Sequence, residues 1–361
     1  MARRTDLIRT MSLSTRSLVV LLSALALACV EDEQPLPPVQ VSGEFVSYAA
    51  SPEVEVCPGT VPHLEGWMTA VADQLGISTE SLLQTTYYLV DDEVVAERCG
   101  GEGIGACAQR VGDNIEIYAG SPLSHHELVH AVQRSAWPLG KPVLSEGIAT
   151  LFDDGFPHRV GAPSALMQLD DLIAISDPQP ETGLYTVGWF LAYWVAVRHG
   201  EQALEDLWLA VDPSATAAEF RAGFEQTLGG SLDELVEDVD GQNHCQFVTC
   251  VGEPSAWVDG SWTVASPQGC EADVVGIRTP DHEDLRRYGL VAVEEAGFYE
   301  VTVTAAGVSV SLALCGRECG LDYTAGFSGT TTSWLAVGVY RAEAYGIAGQ
   351  APYEIQIRPE P

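Results

Sequence analysis

The chain has 361 residues, of which 46% are hydrophobic and eight are tryptophan, so it is long enough for two domains that each bury a core. It carries 17 Lys and Arg against 51 Asp and Glu, a net charge of −34, which argues against a nucleic-acid partner. This acidity favours a protein that is soluble outside the cell.

The N-terminus is typical of an export signal. Four arginines precede the apolar run SLVVLLSALALAC, which is too short for a membrane span. The end of this run, LALAC, resembles the lipobox of bacterial lipoproteins, although Ala26 stands where leucine is usual. The resemblance implies a signal peptide over residues 1–28 and a lipidated Cys29. We expect a location in the bacterial cell envelope, lipid-anchored at the outer membrane, with the membrane contacted only through that anchor. An ordinary secretory peptide and a secreted protein are the alternative.

Residues 29–56 are acidic and contain prolines, which predicts a flexible tether. Apolar residues at helical spacing in VPHLEGWMTAVADQLG then predict a helix that ends at Gly76. TTYYLVDD and NIEIYAG predict short strands, and HHELVHAV and LSEGIATLFDD predict two helices separated by a turn. LYTVGWFLAYWVAVRHG predicts a buried core helix, and further helices follow it. Strands followed by helices favour an α+β domain over residues 57–244.

The pattern changes after residue 250. YEVTVTAAGVSVSLAL, TTTSWLAVGVY and YEIQIRP alternate with a period of two, which predicts an all-β sandwich over residues 250–361. This part weakly resembles the small β domains appended to many secreted bacterial peptidases, and we interpret it as an accessory domain.

Nine cysteines become eight if Cys29 is lipidated, an even number in an oxidising compartment. If all eight pair, at least one disulfide joins the early group to the late group. We predict three pairs: Cys57–Cys245, Cys99–Cys107 and Cys315–Cys319. Zinc binding by these cysteines is the alternative, but no pair of C-x-x-C motifs is present.

The most informative motif is His126-Glu127-Leu128-Val129-His130. Histidines four residues apart on a helix point the same way and can reach one metal ion. Glu127 is then close enough to act on a water molecule at that ion. The alternative is a capping box formed by Ser124 and Glu127, with no metal.

Glu146 in VLSEGIATLFDD decides between these alternatives. A catalytic zinc ion needs a third protein ligand and a fourth position for water. Glu146 follows His130 by sixteen residues, and the intervening turn allows its helix to return alongside the first. Glu146 can therefore face both histidines.

With these residues the chain resembles the gluzincin metallopeptidases, the group of thermolysin and the aminopeptidase N-like enzymes. It looks closest to their short peptidase MA-like relatives, which follow HExxH with a W-L-x-E-G-x-A segment. Leu144, Glu146, Gly147 and Ala149 match that segment, and Val143 replaces its tryptophan. The resemblance implies an α+β zincin-like catalytic domain, a Zn²⁺ cofactor and a peptide or protein substrate.

The resemblance also implies supporting residues. Asp153, seven residues after Glu146, stands where relatives have a carboxylate that orients a ligand histidine. Asp154 is an alternative for this role. Asp153 could instead be a solvated charge at the end of its helix, with no role in the site. Tyr185 stands where a tyrosine could donate to the oxyanion, although a core tyrosine is the more common role. NIEIYAG occupies the place of the edge strand that receives substrate.

These observations predict a monomeric zinc metallopeptidase. The absence of a G-x-M-E-N-like stretch before the motif favours an endopeptidase. Glu127 is the expected general base, and His126, His130 and Glu146 are the expected metal ligands. One alternative is a surface-binding lipoprotein with a relic zinc site, in which the β domain carries the function. Another is a peptidase restricted to one partner protein.

Overall fold

The computed structural model describes residues 35–153, 169–175, 182–238, 246–279, 283–304, 310–318, 325–327, 329–346 and 352–360. The helices are α1 (Thr60–Gln74), α2 (Asp92–Cys99), α3 (His125–Ala136), α4 (Pro142–Leu151), α5 (Leu169–Ala174), α6 (Thr182–His199), α7 (Gln202–Ala210), α8 (Ala217–Leu228) and α9 (Leu232–Asp238), with a 3₁₀ turn at Thr79–Ser81. The strands are β1 (Val39–Ser42), β2 (Val46–Ala49), β3 (Glu55–Val56), β4 (Gln84–Leu89), β5 (Ala106–Val111), β6 (Asn114–Ala119), β7 (Gln246–Val248), β8 (Trp262–Ala265), β9 (Val275–Arg278), β10 (Glu283–Val293), β11 (Gly297–Val303), β12 (Val310–Leu314), β13 (Gly316–Glu318), β14 (Ala325–Phe327), β15 (Thr330–Leu335), β16 (Gly338–Gly346) and β17 (Glu354–Pro359).

The first sheet has the strand order β1-β2-β4-β6-β5. Strands β2, β4 and β6 are parallel, and β1 and β5 join them antiparallel. The strand NIEIYAG is therefore not at the edge as predicted, because the hairpin that connects β5 to β6 adds β5 outside it. Among the described strands of this sheet, β5 is the edge on that side.

The predicted tether over residues 29–56 is wrong for the part that forms strands. Strand β2 pairs with β4, and Val46 and Tyr48 are buried in the core. These alternating apolar side chains explain the difference, since they supply the buried face of a strand. Residues 1–34, which include the predicted signal peptide and Cys29, lie outside the described residues.

Helices α1 and α3 pack on each other and on the first sheet. The predicted apolar face of α1 is confirmed, because Leu64, Trp67, Met68 and Val71 are fully buried. The helix ends before Gly76, whose φ of +69° glycine adopts without a Cβ clash. This packing fixes α3 between the sheet and α1.

Helices α4 and α6 make the closest helix contact in the described chain. A Cβ atom on Gly147 would lie 2.1 Å from the carbonyl oxygen of Gly188. A Cβ on Gly188 would lie 2.4 Å from the carbonyl oxygen of Val143. Only glycine allows the two backbones to approach this closely. The predicted burial of α6 is also confirmed, with residues such as Phe190 and Val195 in the core.

From residue 246 onward the described residues form strands and no helix. One sheet has the order β14-β12-β16-β10-β9-β3, and another has the order β15-β11-β17-β8. Side chains from both sheets share one hydrophobic core around Trp262, Val301, Tyr340 and Ile357. The described chain is thus a mixed α/β protein with more than one sheet, and residues 37–361 cluster as one compact unit.

Two disulfides of the described residues involve Cys57 and Cys99. The predicted pair Cys99–Cys107 is confirmed. Cys57 pairs with Cys270 and not with Cys245, so that prediction is wrong. The reason is topological: β3 pairs with β9, and Cys57 follows β3 directly, which brings it to the loop before β9. The expected disulfide between the early and late groups of cysteines is therefore present, but the partner of Cys57 is Cys270.

The third disulfide joins Cys250 to Cys315, so the predicted local pair Cys315–Cys319 is also wrong. Strand β13 pairs with β7, and this pairing carries Cys315 to the segment that follows β7. Cys245 and Cys319 lie outside the described residues. The three disulfides among the described residues fit an extracellular location. Within the described ranges, no helix is long and apolar enough to cross a membrane.

We predict that Gly188→Ala lowers the free energy of unfolding by about 1–3 kcal/mol, because the added methyl group would overlap the α4 backbone. Chemical denaturation of both proteins measures the difference. Gly183→Ala, in the same helix, is the matched control, because its Cβ would lie 3.4 Å from a flexible leucine side chain. Equal stability of the two variants would contradict the backbone contact.

Candidate metal centre

Helix α3 presents the HExxH residues, and its N-terminus is not a capping box. Ser124 is the N-cap residue, but its side chain makes no capping hydrogen bond. Glu127 lies in the first turn and is 7% exposed. The alternative role of Glu127 as a cap therefore lacks the hydrogen bond that defines it.

Two tyrosines hold the loop that leads into α3. Tyr48 from β2 donates to the carbonyl of Pro122, and Tyr87 from β4 donates to the carbonyl of Ser121. Their rings are stacked with centroids 5.1 Å apart. Burial raises the pKa of both hydroxyl groups, so they remain hydrogen-bond donors. The start of α3 is thereby fixed relative to the first sheet.

His126, His130 and Glu146 converge on one point. His126 Nε2 lies 3.0 Å from Glu146 Oε2, His130 Nε2 lies 3.2 Å from His126 Nε2, and His130 Nε2 lies 3.4 Å from Glu146 Oε2. The predicted return of α4 alongside α3 is what brings Glu146 to the histidines. This group can hold a metal ion, and no other trio of such side chains among the described residues is arranged to do so.

Charge and hydrogen bonding stabilise this cluster. Burial opposes protonation of His126, but the hydrogen bond to Glu146 and the charges of Glu127, Glu146 and Asp153 outweigh it and raise the pKa of His126 to about 9. Burial also opposes ionisation of Glu146, yet the charge of His130 and the two histidine hydrogen bonds lower the pKa of this carboxyl well below its usual range. The surroundings therefore favour the protonated ring of His126 and the ionised carboxylate of Glu146.

The carboxylate of Glu127 is available for chemistry. It is buried next to the cluster, where its negative charge raises the pKa of both His126 and Tyr185. In the described part of the chain this carboxylate accepts no hydrogen bond. Because Glu127 accepts no hydrogen bond from the described residues, its carboxylate can accept one from a water molecule or a ligand.

Tyr185 and Asp153 both lie near His126. The ring of Tyr185 meets the ring of His126 edge-on with centroids 5.5 Å apart. Burial, together with the charges of Glu146 and Glu127, raises the pKa of Tyr185 to about 12, so its hydroxyl remains a donor. Asp153 is half-buried after α4 and acts on His126 through its charge. The alternative, Asp154, lies outside the described residues.

A buried amide beside His130 was missed by the sequence analysis. Nδ1 of His130 donates to Oε1 of Gln133 at 2.9 Å, and Nε2 of Gln133 donates to the carbonyl of Ser145 at 3.3 Å. The hydroxyl of Ser145 also donates to Oε1 of Gln133 at 3.3 Å. Gln133 follows His130 by three residues on the same helix face, and this spacing is the signal that could have revealed it.

A second histidine pair lies on the opposite side of α3. Nε2 of His125 lies 3.0 Å from Nε2 of His63, and both side chains are buried. His125 stacks on Trp67 with centroids 3.7 Å apart, and His63 stacks on Tyr288 from β10 at 4.5 Å. Arg341 from β16 lies over the rings of Trp67 and Tyr288. This packing gives His125 a structural role in the core.

Comparison of the sequence with protein-family models finds no match, and a search of the curated proteins also finds none.

The His63 environment predicts an acid-sensitive fold. Burial and the charges of Arg341 and Arg286 lower the pKa of His63 from 6.5 to about 3. The unfolded chain therefore binds a proton between these values that the folded chain does not, so stability is full above pH 6.5 and decreases as the pH falls toward 3. One such group changes the free energy of unfolding by up to about 1.4 kcal/mol per pH unit.

We expect His63→Phe to lose less unfolding free energy than the wild type between pH 7 and pH 4.5, as measured by urea denaturation at each pH. His125 still contributes to the pH dependence of stability in this variant, because burial also lowers its pKa. His199→Gln, at an exposed position, is the matched control and should keep the wild-type slope. A His63→Phe slope equal to that of the control would exclude His63 as a source of the acid sensitivity.

Proposed function

We propose that this protein is a zinc metallopeptidase that hydrolyses peptide bonds. The observation that carries the proposal is the convergence of His126, His130 and Glu146 on one point, with Glu127 buried beside them. Two nitrogen ligands and one oxygen ligand, with room for water, are the ligand set of catalytic zinc sites such as His₂Glu. This ligand set supports the resemblance to gluzincins that the sequence suggests.

The spacing of the three donor atoms fits zinc. Ligands about 2.0–2.1 Å from a tetrahedral ion lie about 3.3 Å from one another. The separations here are 3.0, 3.2 and 3.4 Å. Calcium and magnesium prefer oxygen ligands and higher coordination numbers, so this donor set disfavours them. When bound, zinc would lower the pKa of water and polarise a carbonyl group.

The protein side chains then have distinct roles. Glu127, close to His126 in the same turn, takes the proton from the attacking water and later passes it to the leaving amine. Tyr185 remains protonated and donates a hydrogen bond to the developing oxyanion. Asp153 favours positive charge on His126 and orients its ring. Substrate would add as a strand to the edge of β5. The sequence alone predicts this role for NIEIYAG, which forms β6.

The proposal includes the organisation expected from the sequence. A zincin-like α+β catalytic domain over residues 57–244 would be followed by a β-sandwich domain over residues 250–361. The protein would be a monomeric endopeptidase anchored to the bacterial cell envelope through Cys29, or secreted. The three disulfides support export to an oxidising compartment.

A binding function of the β region is the second candidate. Phe298 and Trp334 are about half exposed and contact each other edge-on on the outer face of the β11–β15 pair. Exposed aromatic pairs are typical of binding surfaces. In this alternative the metal centre would be a relic, and the protein would be a surface-binding lipoprotein.

Peptide cleavage by wild type and Glu127→Gln decides between these candidates. We expect Glu127→Gln to bind zinc normally and to lose several orders of magnitude in turnover, because the base is removed and the ligands remain. Purified proteins are incubated with a denatured proteome-derived peptide library, and mass spectrometry records new termini. Elemental analysis measures bound zinc.

Glu97→Gln, an exposed position on α2, is the matched control and should cleave as the wild type does. Near-normal cleavage by Glu127→Gln would exclude Glu127 as the base. A zinc-loaded wild type that cleaves no peptide would favour the binding function or a peptidase restricted to one partner protein.

Tyr185→Phe tests the oxyanion donor. Removal of one such donor costs about 100- to 1,000-fold in kcat, with little change in KM, because the hydrogen bond forms mainly in the transition state. Steady-state kinetics on a peptide from the cleavage survey measures both constants. An unchanged kcat would assign Tyr185 to packing against His126 alone.

A further inference from the structure

The amide of Gln133 connects two of the three proposed metal ligands. Its side chain is 1% exposed and lies between α3 and α4. Oε1 accepts from Nδ1 of His130 at 2.9 Å, and Nε2 donates to the carbonyl of Ser145 at 3.3 Å. Ser145 directly precedes Glu146. One buried side chain thus contacts the ring of one ligand and the backbone next to another.

These contacts determine the orientation of the amide and the tautomer of the imidazole. The carbonyl of Ser145 only accepts, so the nitrogen of the amide must face it and the oxygen must face His130. The oxygen in turn accepts a hydrogen from Nδ1, so in the neutral ring that binds a metal ion the lone pair of His130 is on Nε2. Nε2 is the atom that faces His126 and Glu146.

We propose, on the basis of the function proposed above, that Gln133 is a positioning residue of the zinc site. It holds His130 in the metal-binding tautomer and keeps the helix of His130 in register with the helix of Glu146. A buried side chain with fixed partners on both helices resists rotation of either ligand. Gln133 does not contact substrate or metal, so its effect is on zinc affinity.

Substitution of Gln133 in the full protein tests this role through zinc affinity. Gln133→Met keeps the length of the side chain but removes its acceptor, and we expect it to weaken zinc binding about 10- to 100-fold. Competition with a chromophoric chelator measures the dissociation constant for Zn²⁺. Ser145→Ala is the matched control: it removes the hydroxyl contacts to Oε1 of Gln133 at 3.3 Å and to Nδ1 of His130 at 3.4 Å but keeps the shorter Gln133–His130 hydrogen bond, so its affinity for zinc should remain within about threefold of the wild type.

Two further variants separate positioning from folding. Gln133→Glu keeps the acceptor for Nδ1 of His130 but loses the donor to the carbonyl of Ser145, so it should bind zinc more tightly than Gln133→Met and Gln133→Asn. Gln133→Asn is too short to reach His130 and should bind as weakly as Gln133→Met. If Gln133→Met fails to fold, the comparison of Glu with Asn gives the same test. Wild-type affinity in both the Met and Asn variants, or a Glu variant that binds zinc no more tightly than the Asn variant, would overturn the proposal.

The ring proton gives a readout that a purely structural role would not change. In the zinc-loaded wild type, nitrogen-detected NMR should show a slowly exchanging Nδ1–H on His130, and Gln133→Asn should lose this protection. Equal protection in both proteins would overturn the role of Gln133. These measurements do not depend on peptidase activity, so a zinc-binding protein that cleaves nothing would reject the proposed function and leave this test intact. A wild type that binds no zinc would overturn both.

Discussion

The close approach of α4 and α6 at Gly147 and Gly188 is the constraint on which the rest of the site depends. Glycine inside a helix costs about 1 kcal/mol relative to alanine, so two facing glycines are retained only where packing outweighs propensity. Here the contact joins the residue next to Glu146 to the helix that carries Tyr185. The tyrosine reaches His126 because the two backbones meet without intervening side chains.

Helix α3 carries histidines on two faces, and the two faces shift the pKa of His126 and His125 in opposite directions. His126 lies on the face where carboxylates raise its pKa, and His130 lies on the same face with Nε2 3.4 Å from Oε2 of Glu146. His125 is turned by about 100° from His126 and enters the core, where burial and arginine charges favour the neutral ring. Consecutive residues of one helix therefore experience environments of opposite electrostatic character. The neutral pair with His63 holds the helix on the side away from the metal centre.

Sequence reasoning predicted the parts of the site that are encoded locally. The positions of His126, Glu127 and His130 follow from helical spacing, and the facing position of Glu146 follows from a short turn between two helices. The same spacing rule could have identified Gln133, but the partner that makes it informative, Ser145, lies on the next helix. The roles of these residues in catalysis remain predictions, since position alone does not establish chemistry.

Strand pairing between distant parts of the chain could not be predicted from the sequence, and it changes the interpretation of the β region. Cys57 could not be assigned to Cys270 without knowledge that β3 joins a sheet formed 220 residues later in the chain. The hydroxyl of Thr60, at the start of α1, donates to the carbonyl of Gly276, and Arg341 covers the ring of Trp67 in the same helix. Because α1 supports α3, these contacts link the β region to the helix that carries His126 and His130. Val275 and Ile277 of β9 belong to the same hydrophobic core as α1 and α3, so this part of the β region supports the candidate site.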